Sequence, residues 1–371
     1  MARKIAMVSR CAWTLYNFRA GHIRALLERG YSVIGGGAGG DGYEEKIRDL
    51  GIPYLPLPID KKGINPLADL ILFKTLLRWY RKEKPAIVHH FTIKPVIYGS
   101  IAARLAGVPR IINTITGLGY VFIENERWLK KLVEQQYRLA LACAHFTFFQ
   151  NAEDLELFIK RKLIKAEKTG LLAGSGVDLD FFSPVPVSEI KPGQGSCRFI
   201  LVSRLLREKG VYEFVEAARL IKEQFPDTQF QLLGQRDERN PTVIPLKDLE
   251  TWQSKGLVSW LGETEDVRPF MARADVVVLP SYREGLPRSI LEASAMEKPV
   301  ISTDTPGCRD AVNREITGFL VPVKDSQSLA QAMIRLIRHP ELRDQMGKAG
   351  RKKVEEHFDE KMVIEKILTV Y

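Results

Sequence analysis

The sequence predicts an α/β protein made of two doubly wound, Rossmann-like domains. Three observations carry this reading. Short apolar runs alternate with amphipathic stretches, the pattern of a parallel sheet covered by helices on both faces. The alternation breaks at Ser183–Gly195, where three prolines and two glycines within thirteen residues support neither helix nor interior strand. It then resumes, in a chain of 371 residues, long enough for about two domains.

Taken in order, Ile5–Val8, Ser32–Ile34, Ile87–His89, Arg110–Asn113 and Phe146–Gln150 read as strands. Ala20–Arg29, Leu67–Lys84, Val96–Leu105 and Arg127–Leu141 read as the helices between them. After the break come strands at Arg198–Ser203, Gln229–Leu233, Leu257–Trp260, Val276–Leu279 and Val300–Thr303. Helices are expected at Tyr212–Gln224, Val267–Ala272, Ser289–Met296 and Ser328–His339. The expected division is residues 1–185, residues 186–357, and a last amphipathic stretch, 358–371. Doubly wound domains take ligands at strand ends, so a cleft between the two is the expected site.

Composition narrows the class. Hydrophobic residues make up 45% and charged residues 27%, which excludes disordered, collagen-like and disulfide-scaffold chains. The longest apolar candidate, Leu139–Phe149, falls well short of the ~18 residues of a membrane span. The N-terminus lacks a signal-peptide pattern, and Cys11, Cys143, Cys197 and Cys308 show neither metal nor disulfide spacing. A cytoplasmic location is expected. Of the net charge of +10, most lies in residues 1–190, with 27 Lys and Arg against 18 Asp and Glu. That half should meet an anionic partner: a membrane surface, a diphosphate-bearing substrate or a nucleic acid.

Two motif matches are decoys. Gly35–Gly40 fits G-x-G-x-x-G with Asp60 downstream, but it follows the second strand and opens no proper helix, so no nicotinamide or flavin is expected. Asp178-Leu179-Asp180 matches a metal-holding D-x-D, yet aspartates there serve a turn more simply. No metal and no cofactor is expected.

The informative stretch is Ser281–Ala293. A buried strand ends at Pro280, a loop carries Glu284 and Gly285, and a helix begins around Pro287, where proline is well tolerated. The first-turn N–H groups of Arg288 and Ser289, with the helix dipole behind them, make an anion site. Glu284 just before it and Glu292 within the helix suit the hydroxyls of a nucleotide sugar. In Ser203-Arg204-Leu-Leu-Arg-Glu-Lys209-Gly210, Arg204 offers a planar fork and Lys209 a point charge, a pair fitted to a diphosphate leaving group.

E-x₇-E at Glu284 and Glu292, S-R-x-x-x-x-K-G at 203–210, Gly176–Pro184 and Thr317–Val323 together resemble the family-4 retaining glycosyltransferases of the GT-B fold, over essentially the whole chain. Asn17-Phe18-Arg19, Ile64-Asn65-Pro66, Thr116–Gly119, Leu233–Pro241 and Pro306–Asp310 are similar to a narrower group. Its members are bacterial transferases that add N-acetylgalactosamine to diacetylbacillosaminyl-diphospho-undecaprenol. The resemblance implies a UDP-sugar donor bound in the C-terminal domain by Arg204, Lys209, Gly285, Leu286, Arg288, Ser289 and Glu292. Glu284 would contact the transferred sugar and Glu292 the ribose. It implies a polyprenyl-diphosphate-linked saccharide as acceptor, with Arg19, Lys94, Gly117 and Gly119 on the acceptor side. It also implies a peripheral place on the inner face of the cytoplasmic membrane, and a last stretch crossing back to the first domain.

The family carries H-x-H after its fourth strand, whereas this chain has His89-His90-Phe91, so that role falls to His90, to His89 or to no histidine. Glu297 stands where the family usually has glycine, at a helix end. Two rivals remain. A nucleotide-sugar epimerase of the same fold needs a separate acid pair that the sequence lacks. A nucleic-acid-binding protein needs aromatic residues interleaved with basic ones at exposed positions, and these are absent. No nucleic acid is expected as a partner.

Overall fold

The computed structural model describes residues 3–60, 65–117, 127–185, 197–238 and 240–371; of residues 127–130 it describes the helical backbone. The chain forms two compact units, Met1–Ser175 together with Lys361–Tyr371, and Gly176–Glu360.

The first unit holds a parallel sheet of seven strands: β1 (Lys4–Cys11), β2 (Ser32–Ala38), β3 (Tyr54–Pro56), β4 (Ile87–Phe91), β5 (Arg110–Ile115), β6 (Phe146–Phe149) and β7 (Thr169–Leu171). Their order is β3-β2-β1-β4-β5-β6-β7, so the winding reverses between β1 and β4. Val8 pairs with His90 there, at the carboxyl ends of the two strands. One core cluster includes Ile5, Met7, Leu15, Ile23 and Ile112, with Val363 and Ile367 from the helix Glu360–Leu368. Another, with Val8, Leu72, Leu76, Val88 and Ile111, lies under the helix Pro66–Glu83.

The second unit holds six parallel strands: β8 (Arg198–Val202), β9 (Gln229–Leu233), β10 (Ser259–Trp260), β11 (Val276–Leu279), β12 (Val300–Thr303) and β13 (Gly318–Val321). Their order is β10-β9-β8-β11-β12-β13, with the reversal between β8 and β11. Phe199, Leu201, Val276, Val278 and Ile301 are buried between the helices that flank the sheet. Runs such as Val276–Leu279 are apolar at every position because both faces of a parallel sheet are covered.

Several elements differ from the sequence reading. The first helix spans Ala12–Glu28 and so begins well before Ala20. Its early residues are ordinary helix formers at best, but Cys11 N–H bonds the Thr14 hydroxyl at 3.1 Å and Trp13 N–H bonds an Asp41 oxygen at 3.0 Å. Asp41 arrives from beyond β2, so the cap is a tertiary contact. The expected helix Val96–Leu105 is a π-type turn, Pro95–Gly99, running into the helix Ser100–Leu105. The units divide after Ser175 rather than after residue 185, and the return begins at Lys361 rather than at 358. Gly176–Ser183 belongs to the second unit because Val177 N–H bonds the Phe358 carbonyl at 2.9 Å and Glu360 N–H bonds that of Val177 at 3.0 Å.

The decoy motifs have plain structural uses. Gly35, Gly36 and Gly37 lie inside β2, where side chains would press on Leu15 and Tyr54, on Trp79, and on the Ser9 carbonyl. They let the strand backbone approach its neighbours. Asp178 Oδ1 accepts from the N–H groups of Asp180 (3.0 Å) and Phe181 (2.9 Å), an Asx turn. Glu297 sits at φ 56°, just past the helix Arg288–Ala295, in the left-handed conformation a glycine would take without strain.

Candidate active site

In the second unit the two motif-bearing loops leave the carboxyl ends of β8 and β11, the strands that flank the reversal of winding. This is where doubly wound sheets bind ligands. The first loop contains a 3-10 turn at Arg207–Lys209 and then Gly210, at φ 75°. A side chain on Gly210 would collide with the Pro280 carbonyl, so glycine there sets how closely the loops approach. They are joined by backbone: Tyr282 N–H and the Ser281 hydroxyl both bond the Glu208 carbonyl, at 2.8 and 3.1 Å. The Tyr282 hydroxyl reaches Glu213 at 2.7 Å.

This framework brings Lys209 and Glu284 into a direct ion pair, with both side chains largely enclosed. Each offsets the other's desolvation, and each stays within reach of a ligand arriving at the strand ends. The helix Arg288–Ala295 begins immediately beyond, with Pro287 at its N-cap rather than inside its first turn. Gly285, Leu286, Arg288 and Ser289 are partly exposed at that end. One turn on, Arg288 Nε donates to Glu292 Oε1 at 2.7 Å. Burial pushes the Glu292 carboxyl up, and Arg288 opposes that shift. Arg204 is exposed on the first loop. Lys209, Glu284, Arg288 and Glu292 thus form two neighbouring ion pairs beside a helix N-terminus.

Sequence reasoning missed the support around this site. A side chain on Gly307 would collide with the carbonyls of Gly285 and Glu284, so the loop after β12 packs directly behind the Glu284 loop. Cys308 follows it, fully buried, its thiol pushed up to about 11 by burial. The signal available was Pro306-Gly307, a turn dipeptide directly after a buried strand.

The first unit treats its expected residues differently. His90 is fully buried, with Nε2 2.9 Å from the Tyr80 hydroxyl and Nδ1 3.0 Å from Asn113 Oδ1. Burial lowers its pKa to about 4. Both ring nitrogens are engaged and a side chain on Gly99 would strike the ring, so His90 is packed within the core of the first unit. His89 points to the other face of the sheet, between the Tyr371 hydroxyl (2.6 Å) and Thr114 Oγ1 (2.7 Å). Phe91 stacks on His89 with centroids 4.1 Å apart, and the Arg19 guanidinium lies 4.3 Å above the Phe91 ring. Arg19 is itself buried. Lys94 is paired with Asp69 at 2.8 Å, an oxygen-bearing partner that also takes the Tyr98 hydroxyl. Gly117 has φ 138° at the end of β5, and Gly119 lies outside the described residues.

Two doubly wound parallel sheets of seven and six strands, with the motif loops at the reversal of the second, fit the GT-B class of glycosyltransferase. The chain belongs to the glycosyltransferase family: residues 190–353 match the family described as glycosyl transferases group 1, and residues 4–151 match glycosyl transferase 4-like. It is 30% identical, over 89% of its length and 85% of the relative's, to the UDP-Gal:alpha-D-GlcNAc-diphosphoundecaprenol alpha-1,3-galactosyltransferase of Escherichia coli. It is 27% identical, over 99% of its length and 98% of the relative's, to the N,N'-diacetylbacillosaminyl-diphospho-undecaprenol alpha-1,3-N-acetylgalactosaminyltransferase of Campylobacter jejuni. Among solved structures, Anabaena HepE in complex with UDP and glucose shares the fold, with a TM-score of 0.79 at 18% identity over 99% of this chain and 98% of that one.

Proposed function

We propose that this glycosyltransferase moves an N-acetylhexosamine, N-acetylgalactosamine in the first instance, from a UDP-sugar to a polyprenyl-diphosphate-linked saccharide, with retention at the anomeric carbon. The observation that carries the reading is the Lys209–Glu284 pair beside the N-terminus of Arg288–Ala295. A donor diphosphate would take the Lys209 ammonium and the first-turn N–H groups, with Arg204 as a second cation. Glu284 would then turn to the sugar hydroxyls, while Glu292, held by Arg288, accepts from the ribose. Donors fixed in place before reaction stabilise the charge that builds on the departing UDP. The acceptor class comes from the two bacterial relatives, whose names specify diphospho-undecaprenol substrates.

Such an acceptor stays in the bilayer, so the enzyme must dock on it. The helix Pro66–Glu83 exposes Leu67, Leu70 and Ile71 beside Lys74, Arg78 and Arg81. Phe73 and Leu77, on the same helix, pack against the core. The helix Arg127–Cys143 adds exposed Leu132, Leu139 and Lys131, whereas Arg138 is turned back on Gln135 and on the Arg161 and Lys162 carbonyls. The side chains of Arg127, Trp128 and Lys130 lie outside the described residues. No helix among the described residues is long and apolar enough to cross a membrane. Apolar anchoring plus roughly 1 kcal/mol per basic residue supports reversible docking on an anionic leaflet.

The test is transfer from UDP- and GDP-sugars to a polyprenyl-diphosphate-linked saccharide, with the product's anomeric configuration read by NMR. Transfer from a UDP-N-acetylhexosamine with retention is the expected result. Use of GDP-sugars alone, or conversion of the UDP-sugar to its epimer without acceptor, overturns the reading. Sedimentation with anionic vesicles at low salt and release at high salt tests docking; equal binding to neutral vesicles removes its electrostatic basis.

A further inference from the structure

We infer that Arg10, with the hydroxyl of Thr92, forms a phosphoryl-binding position in the first unit, and that it holds the diphosphate of the acceptor. The inference rests on the acceptor class proposed above, and its location comes from the sheet. The winding reverses between β1 and β4, and the last paired residues of those strands are Val8 and His90. Two residues further on, the chain carries Arg10 on one lip of the crevice and Thr92 on the other.

Both residues hold buried polar atoms that no described residue satisfies. Arg10 Nε and Thr92 Oγ1 are each shut from solvent and have no hydrogen-bond partner among the described residues. Thr92 also has φ 70°. A β-branched residue in the left-handed region is strained, and such strain collects at ligand-binding positions. The neighbouring groups are already occupied. Ser9 bonds Thr14 at 2.8 Å, Asp41 caps the helix start at Trp13, and Lys94 is paired with Asp69. Among the described residues Arg10 Nε has no acceptor, whereas Lys94 has its carboxylate.

The chemistry fits a tetrahedral anion. Arginine presents Nε and a terminal nitrogen as parallel donors to two phosphoryl oxygens, and a hydroxyl supplies a third donor from the facing strand. The buried Nε–H would gain its acceptor from the ligand. A diphosphate joined to a lipid brings charge to the first unit, while the second unit's cations serve the donor.

Four proteins separate the outcomes: the parent, Arg10→Ala, Arg10→Lys and Thr92→Val. KM is measured for a polyprenyl-diphosphate-linked saccharide and for the same saccharide on a neutral octyl aglycone; UDP affinity is measured by calorimetry. We expect Arg10→Ala to raise KM for the diphosphate acceptor at least about tenfold, with Arg10→Lys intermediate and Thr92→Val smaller. KM for the octyl glycoside and the Kd for UDP should stay within about twofold. Equal losses on both acceptors would make Arg10 a structural residue and overturn the inference, as would unchanged KM in Arg10→Ala. A fall in UDP affinity with acceptor KM unchanged would reassign the position to the donor. Inorganic pyrophosphate titrated into UDP-saturated protein reads the position without transfer. Binding that Arg10→Ala abolishes supports the position even where the parent uses no diphosphate acceptor, and that result counts against the proposed acceptor alone.

Discussion

The two sheets reverse their winding in the same way and use the result differently. Between β8 and β11 the loops and the helix that follows carry charge in two largely enclosed ion pairs. At β4 the polar side chains of the strand end turn inward, His89 bonding Thr114 and His90 bonding Tyr80 and Asn113 in the core. One fold thus offers two kinds of strand end. In the second unit, Gly210 sets how closely the two loops approach, and the charged groups they bring together are enclosed in pairs.

Breaking that contrast at its strongest point gives the largest expected effect. Glu284→Gln keeps shape and removes charge, and should cut kcat about a hundredfold while leaving UDP affinity nearly intact. A kcat within twofold of the parent would show that Glu284 does not contact the sugar. Lys209→Ala leaves Glu284 without its partner and deletes a charge-assisted contact. It should weaken UDP binding by at least about tenfold by calorimetry, and Arg204→Ala should do so to a similar or smaller extent.

A smaller effect sharpens the other side. His90→Leu removes the partner of Tyr80 and Asn113, so it should destabilise the protein by about 2–4 kcal/mol in urea unfolding. UDP affinity of the folded protein should not change. A catalytic His90 would instead lower kcat with stability preserved.

The smallest effect per group is in acid. Burial lowers the pKa of His22 to about 3 and of His90 to about 4, and that of His89 well below its ordinary value. Their folded forms are neutral while the unfolded chain protonates near pH 6.5, so the stability they hold is present above that pH. It is lost as pH falls toward 4, by about 1.4 kcal/mol per pH unit for each histidine. The histidines of the second unit, His339 and His357, are exposed. Hydrogen exchange at pH 7 and pH 5 should therefore show protection falling in β1, β4 and β5 before it falls in β8 and β11. Equal loss in both units would remove the buried histidines as the cause.

Much of this protein was written locally in its sequence. Alternating apolar runs fixed both sheets and most of their strands, because a parallel sheet buried on two faces needs continuous apolar residues. The Glu284 loop, the helix start near Arg288 and the Ser203–Gly210 loop were legible because each is a short contiguous motif. Other features depend on residues far apart in the chain. The early start of the first helix comes from Asp41, and the division after Ser175 comes from Val177 pairing with Phe358 and Glu360. Whether His90 faces a site or the core was decided by Tyr80 and Asn113, which share its packing but not its sequence neighbourhood. The Lys209–Glu284 pair is of the same kind: each residue could be named from its own motif, while the close approach of the two loops, at Gly210 against the Pro280 carbonyl, is a tertiary contact. Sequence alone determined the elements and the chemical groups they carry, since periodicity and turn chemistry are local. The tertiary structure decided which of those groups meet, because burial and pairing depend on segments that the chain brings together only on folding.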